Sequence, residues 1–253
     1  LRQTRNRLVL APAWLTAFVD FPAELFERGA AFWQAVTGAT LSPPRGETGE
    51  FATLVPADGD AFLRVQRLGA GPVRVHLDVH RAGQDFAIRR SPGGFVYCEV
   101  GEGESVRPAP VAWPGGHTSL VDQVCLDIPA DRYDEECAFW AEETGWEMRS
   151  GSRPEFRALV RPAGIPLRIL LQRLDEPRTS QIGSASSTDP AGTPGLVHAH
   201  LDLATSDRAA ETRRHLALGA TVVGHGPRWT VLCDPVGQRY CITDRDPITG
   251  LLS

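Results

Sequence analysis

A block of nineteen residues that begins at Asp20 returns 107 residues later, and this repetition constrains the fold more than any other feature of the chain. Asp20, Pro22, Ala23, Ala31, Phe32, Trp33, Thr37 and Gly38 reappear as Asp127, Pro129, Ala130, Ala138, Phe139, Trp140, Thr144 and Gly145. Average residue usage would supply on the order of one such identity. In both copies a strand-like run precedes the block, WLTAFVDF over residues 14–21 in the first. The spacing then predicts a helix that starts at Pro22 and stops before Gly38. Its buried stripe is Phe26, Ala30, Trp33 and Thr37, answered by Tyr133, Cys137, Trp140 and Thr144 in the second copy. Strands follow in parallel: Phe51–Val55 matches Phe156–Val160, and Gln66–Leu68 matches Gln172–Leu174. A duplicated domain is the natural reading.

The end of the chain has an equally regular order. His200-Leu201-Asp202-Leu203 alternates as a strand, Ser206-Asp207 can cap a helix, and Gly219 can end it. Thr221–Val223 and Trp229–Leu232 read as strands, Asp234–Gly237 as a turn, and Arg239–Ile242 as a last strand. The order is β-α-β-β-β. The first half carries a damaged copy: Val75-His76-Leu77-Asp78-Val79, a turn at Ser91–Gly94, and Phe95-Val96-Tyr97-Cys98.

The HLDL strand, the helix ending in LGA, the DPVG turn and the closing YC strand resemble the second half of a glyoxalase-like domain. Such domains belong to the vicinal oxygen chelate superfamily, which includes glyoxalase I, bleomycin-resistance proteins and extradiol dioxygenases. The resemblance implies an α+β fold of two tandem domains, each made of two βαβββ modules whose mixed sheet curls into a cup around a small ligand. The domains are expected at residues 1–105 and 118–253, packed as an intramolecular pseudo-dimer. Between them, Gly101–Ser119 is rich in Gly and Pro and has no periodicity. Asp175–Gly195 reads as a mobile loop between the modules of the second domain.

One departure stands out. His200 lies 34 positions before Asp234, whereas His76 lies only 15 before Ser91. The first half lacks a helix and a strand near residues 82–85. A module without its helix should leave a sheet face bare, so the sequence favours a segment missing from the chain as given over a true deletion.

The resemblance also implies where a metal would sit: the first and last strands of module one, the first strand of module two, and the final strand. The last ligand is normally Glu, seven positions after the Asp of the turn. Those positions hold Thr16, Gln66, His76 and Cys98 in the first domain and Gln123, Gln172, His200 and Cys241 in the second. One His with neutral amides is a poor divalent site, so no catalytic metal and no cofactor are expected. Glu99 is one residue past the ligand position and should point out of the cup. Were a metal present, His76, Glu99 and His200 would be the residues to hold it. Asp78 and Asp202 share a face with the histidines and could orient an imidazole or simply be satisfied by it. His198 shares the face of His200, and Trp229 could stack on a flat ligand.

With a net charge of −5, the chain has no electrostatic footprint for nucleic acid, and no apolar run is long enough for a bilayer. Five cysteines without CxxC spacing argue against a disulfide framework and for a reducing cytoplasm. The expected function is metal-independent binding of a small organic molecule in one or both cups, with Thr16, Gln66, His76, Gln123, Gln172, His200 and Trp229 as candidate contacts. A metal-dependent lyase, isomerase or dioxygenase is the alternative, and a scaffold with vestigial cups the third.

Overall fold

A computed structural model of the chain describes residues 11–174 and 196–252; the predicted loop at 175–195 lies outside them. The first half contains β1 (Trp14–Pro22), α1 (Phe26–Thr37), β2 (Thr40–Leu41), β3 (Phe51–Val55), β4 (Leu63–Leu68), β5 (Arg74–His80), β6 (Ala87–Arg90) and β7 (Val96–Val100). They form one mixed sheet in the order β2-β3-β4-β1-β5-β7-β6. The second half begins with β8 (Val111–Ala112) and β9 (Thr118–Ile128). A 3₁₀ turn at Ala130–Arg132 then leads into α2 (Tyr133–Thr144). Three strands follow, β10 (Met148–Ser150), β11 (Phe156–Leu159) and β12 (Arg168–Arg173). The last module is β13 (His198–Thr205), α3 (Arg208–Ala217), β14 (Thr221–Gly226), β15 (Trp229–Cys233) and β16 (Arg239–Thr243). Its sheet runs β10-β11-β12-β9-β13-β16-β15-β14, with β8 beside β9.

The two sheets share one topology, as the repeat implies. Each long central strand, β1 or β9, pairs in parallel with the last strand of its own module and antiparallel with the first strand of the next. The helix stops are where Gly was expected: Gly38 and Gly145 take left-handed φ values of 64° and 66°. Asp207 caps α3 by accepting the Ala210 N–H at 2.9 Å. Pro22 does not open the first helix. It ends β1, paired with Leu68, and α1 begins at Phe26 after a turn closed by the Leu25 N–H on the Pro22 carbonyl at 2.9 Å. Proline is tolerated at a strand end, where its missing N–H costs little. The linker is also more ordered than its composition suggested, because β8 pairs with β9.

The halves are locked by an exchange of helices. Trp33 of α1, fully buried, donates its indole N–H to Asp234 at 3.1 Å and lies 5.4 Å from the Tyr240 ring, both in the second half. Trp140 of α2 lies 5.3 Å from Tyr97 and 5.9 Å from Phe95 in the first. Both tryptophans are core residues, as expected.

This exchange also answers the missing helix. The chain passes from β5 into β6 through Arg81–Asp85, with the Gln84 N–H on the Arg81 carbonyl at 3.2 Å. Neither α3 nor β14 has a counterpart there. The sheet face is nevertheless covered: α2 lies on it and leaves Phe95 and Tyr97 buried. The reason for expecting an extra segment at residues 82–85 therefore falls away. What stays open is the edge, where Phe86 and Ile88 are 67% and 65% exposed. Among the described residues no helix is long and apolar enough to cross a membrane.

Candidate functional site

Each cup is organised by a histidine held between two aspartates. His76 and His200 lie on β5 and β13, and their side chains face the central strand. There Asp20 accepts from or bonds His76 Nδ1 at 2.9 Å, and Asp127 does the same for His200 Nδ1 at 2.9 Å. The aspartate two residues on, predicted to share the histidine's face, lies beside Nε2: 3.9 Å for Asp78 and 3.1 Å for Asp202. Asp20 and Asp127 are identities of the repeat whose role the sequence did not disclose.

The first cup is filled from within. Where the second domain has Cys125, the first has Phe18, whose ring stacks on His76 at 4.6 Å and 13°. The Arg64 guanidinium, at the position of Leu170, lies over the same ring at 5.7 Å. Thr16 is fully buried and bonded to His80 Nε2 at 2.9 Å, and Gln66 is half-buried on β4. Thr16, Gln66 and His76 are therefore brought to one sheet face, but Phe18 occupies the space a ligand would need.

The second cup is open. A cavity of about 690 Å³ is lined by Gln123, Gln172, His200 and Trp229, the four candidate residues of this half. That volume suits a drug-sized molecule. At its floor, Gln123 donates its amide to Asp202, and the Cys125 thiol lies 3.6 Å from the Gln172 carbonyl oxygen. Trp229 meets Phe156 edge to face at 5.7 Å, so its role at the mouth is shared with a second ring. The sequence reading missed the basic wall: Arg107, Arg161, Arg168 and Arg245 also line the cavity. Arg107 comes from the aperiodic linker and Arg245 from beyond the last strand, so neither carried a patterned signal.

These residues do not fit the metal site that the superfamily implies. His200 Nδ1 is bonded to Asp127 at 2.9 Å, while Nε2 lies 3.1 Å from Asp202 Oδ1 and 3.6 Å from the Cys241 thiol. Burial opposes the charge of His200, but Asp127 and Asp202 act the other way and raise its pKa well above the ordinary value, which favours the protonated ring over a metal ligand. Burial pushes the Cys241 thiol up to about 11 and that of Cys98 to about 12. Gln123 and Gln172 are spent on Asp202 and Cys125. Three sets of potential donors among the described residues have ligand atoms within 4.8 Å of one another: His200, Asp202 and Cys241, its counterpart His76, Asp78 and Cys98, and Cys125, Asp127 and His200. His198 joins no such group among the described residues. Glu99, the fallback ligand, lies 2.7 Å from Arg89 and 3.6 Å from Arg81.

A family model described as a glyoxalase-like domain matches residues 16–92 and 123–243. Among solved structures, the chain is similar to the Mn(II)-bound glyoxalase from Novosphingobium aromaticivorans, with a TM-score of 0.56 and 15% identity over 93% of this chain and 82% of that one. It is also similar to 2,2',3-trihydroxybiphenyl 1,2-dioxygenase from Sphingomonas wittichii, with a TM-score of 0.52 and 14% identity over 93% and 90%. A mutant 4-hydroxymandelate synthase from Streptomyces coelicolor gives 0.55 and 13% over 93% and 94%. At these identities the likeness shows the fold alone. No curated protein matches in sequence.

Proposed function

Proceeding from a chain that belongs to the glyoxalase-like domain family, within the vicinal oxygen chelate superfamily, we propose that its second cup binds a small organic molecule without the help of a metal ion. The observation that carries this reading is the pairing of an open cavity of about 690 Å³ with a central histidine whose Nδ1 is bonded to Asp127 and whose neighbours on the cup face are Gln123, Gln172 and a high-pKa thiol. Such a site can recognise a ligand through hydrogen bonds and ring contacts, while the superfamily's metal chemistry lacks its donors. The first cup, filled by Phe18, acts as the packing partner of the second. We take the two domains as residues 1–105 and 118–253, joined as a pseudo-dimer through the exchanged tryptophans. Five free thiols suit a reducing compartment such as the cytoplasm.

The test is elemental analysis of unchelated, untagged protein together with thermal shifts against a panel of small organic molecules, with and without EDTA. Expected are well under one metal per chain, a melting temperature indifferent to EDTA, and at least one stabilising compound. The metal-dependent alternative draws support from the closeness of His200, Asp202 and Cys241. Stoichiometric metal that is lost in His200→Ala would establish it and sink the metal-free reading.

A further inference from the structure

We infer that the second cup is built for an organic anion: a carboxylate or phosphate seated among Arg107, Arg161 and Arg168, with an apolar, ring-bearing body toward Phe156 and Trp229. This rests on the reading of that cup as a ligand site and adds the charge and shape of the occupant.

The argument starts from strand register. On the cup face, Arg168 sits opposite Gln123, and Gln172 sits opposite Asp127 and Phe156. The cavity therefore has a basic end near Gln123 and an aromatic contact at Phe156. Three elements bring guanidinium groups to that basic end: the linker with Arg107, the β11–β12 connection with Arg161, and β12 with Arg168.

Only one of the four guanidinium groups on this wall is closed by an ion pair among the described residues. Arg245 is matched by the buried Asp122, Nε to Oδ2 at 3.1 Å. Arg107, Arg161 and Arg168 form no ion pair among the described residues; Asp122 acts on all three from farther off, with Asp246 near Arg107 and Asp202 near Arg168. Their partners are carbonyls: Arg107 donates to Ile248 and Pro247 at 2.7 and 3.0 Å, Arg168 to Gly250 at 2.7 Å, and Arg161 to Pro166. Each guanidinium carries five N–H donors, so most remain unspent, and Arg107 Nε is buried with no partner. Burial and the nearby Arg107 hold the Arg161 pKa down at about 10, the mark of cations crowded together.

Holding the Pro247–Gly250 loop does not require this arrangement. A carbonyl needs one N–H, and a neutral amide side chain could supply it without bringing three like charges to one wall. An anion explains why three guanidinium groups without an ion pair share one wall and keep donors unspent, because such groups match the planar or tetrahedral oxygens of carboxylate and phosphate. The aromatic pair supplies the remaining contact area.

The experiment is calorimetric titration of the full chain with three compounds of one body: 2-naphthoate, 2-naphthyl phosphate and the uncharged 2-naphthamide. At low salt at least one anion should bind about tenfold or more tightly than the amide, a preference that shrinks as salt rises. Which anion is tighter separates a carboxylic acid from a phosphate ester. Arg161→Gln and Arg168→Gln should each reduce the preference about fivefold with little change in amide binding. Arg161→Lys should keep most of it, which guards against misfolding as the cause. If all three compounds bind alike, and binding is blocked by Cys125→Phe, the anion inference fails and the ligand-binding cup stands. If none binds, or Cys125→Phe changes nothing, both fail.

Discussion

Arg81 and Arg214 close the C-terminal ends of opposite helices, one from a turn and the other from a helix. Arg214 of α3 donates to the Ala35 and Val36 carbonyls of α1 at 3.0 and 2.8 Å. Arg81, in the turn that replaces the missing helix, donates to the Glu143 carbonyl of α2 and pairs with the Glu143 carboxylate at 2.8 Å. Val36 and Glu143 are equivalent positions of the repeat, and a cation there meets the negative end of the helix dipole. Each arginine also has a buried carboxylate of its own half beside it, Glu211 for Arg214 at 2.7 Å and Glu99 for Arg81 at 3.6 Å. The module with the short connection thus makes, from a turn, the contact with the exchanged helix that the other makes from α3.

Both arginines are therefore expected to matter for stability, and to similar degrees. Arg81→Met and Arg214→Met each uncap a helix end and remove one partner of a buried carboxylate. That carboxylate keeps others, Arg89 for Glu99 and His117, Ser119 and His215 for Glu211, so the loss is about 1–3 kcal/mol. Urea unfolding measures it. A loss below about 1 kcal/mol for Arg81→Met, in the range of an exposed ion pair, would show that the turn does not do the work of the helix.

The difference between a filled and an open cup comes down to Phe18 against Cys125, and exchanging them should exchange the behaviour. Cys125→Phe is expected to stack a ring on His200 and abolish ligand binding by the second domain. Phe18→Ala should cost about 3–5 kcal/mol through the space it leaves. It should also create a site for benzene or xenon, visible as a ligand-dependent rise in melting temperature. Unchanged binding by a folded Cys125→Phe protein would show that the ligand does not use this cup.

That same pair explains how much of the molecule could be read beforehand. Strand and helix order was legible because it is written in repeated signals: period-two runs, glycine stops at Gly38 and Gly145, the cap at Asp207. The cup histidines were legible for the same reason. Phe18 and Cys125 are both ordinary residues of an apolar strand, so nothing in the pattern says that one fills a cavity and the other lines it. The basic wall was hidden differently. Arg107 and Arg161 come from connections, where position is set by contacts with the Pro247–Gly250 loop for Arg107 and with the Pro166 carbonyl for Arg161, and leaves no periodic trace. Asp20 and Asp127 were visible as identities of the repeat, but their bonds to His76 and His200 cross between strands far apart in sequence.

Acid should loosen the second half through Glu211. This buried carboxylate is bonded by His117 Nε2 and Ser119 Oγ at 2.7 Å each, and by Arg214 and His215. Burial would raise its pKa, but hydrogen bonds from Arg214 and His215 hold it far below the ordinary carboxylate value. A carboxylate depressed in the folded state stabilises above its unfolded value of 4.5 and loses that contribution as pH falls. Stability measured by urea should therefore decline between about pH 5 and 3, and Glu211→Gln should flatten the decline. An equal slope in the variant would assign acid sensitivity elsewhere.

His200 should show the opposite dependence. Its folded pKa is raised above the model-peptide value of 6.5, with Asp127 and Asp202 outweighing the effect of burial. The contribution is complete below the unfolded value and is lost as pH climbs through the folded one. Between those two values the folded chain holds one proton more than the unfolded chain. From this group alone, stability then falls by up to about 1.4 kcal/mol per pH unit. Nitrogen-15 spectra of the imidazole read the state directly: at pH near 8, where a free imidazole is neutral, both ring nitrogens of His200 should still carry protons. Asp127→Asn and Asp202→Asn should each bring the titration down toward the ordinary range. A neutral ring at that pH, with a bare Nε2, would leave a lone pair facing Asp202 and Cys241, and the case against a metal in this cup would no longer hold.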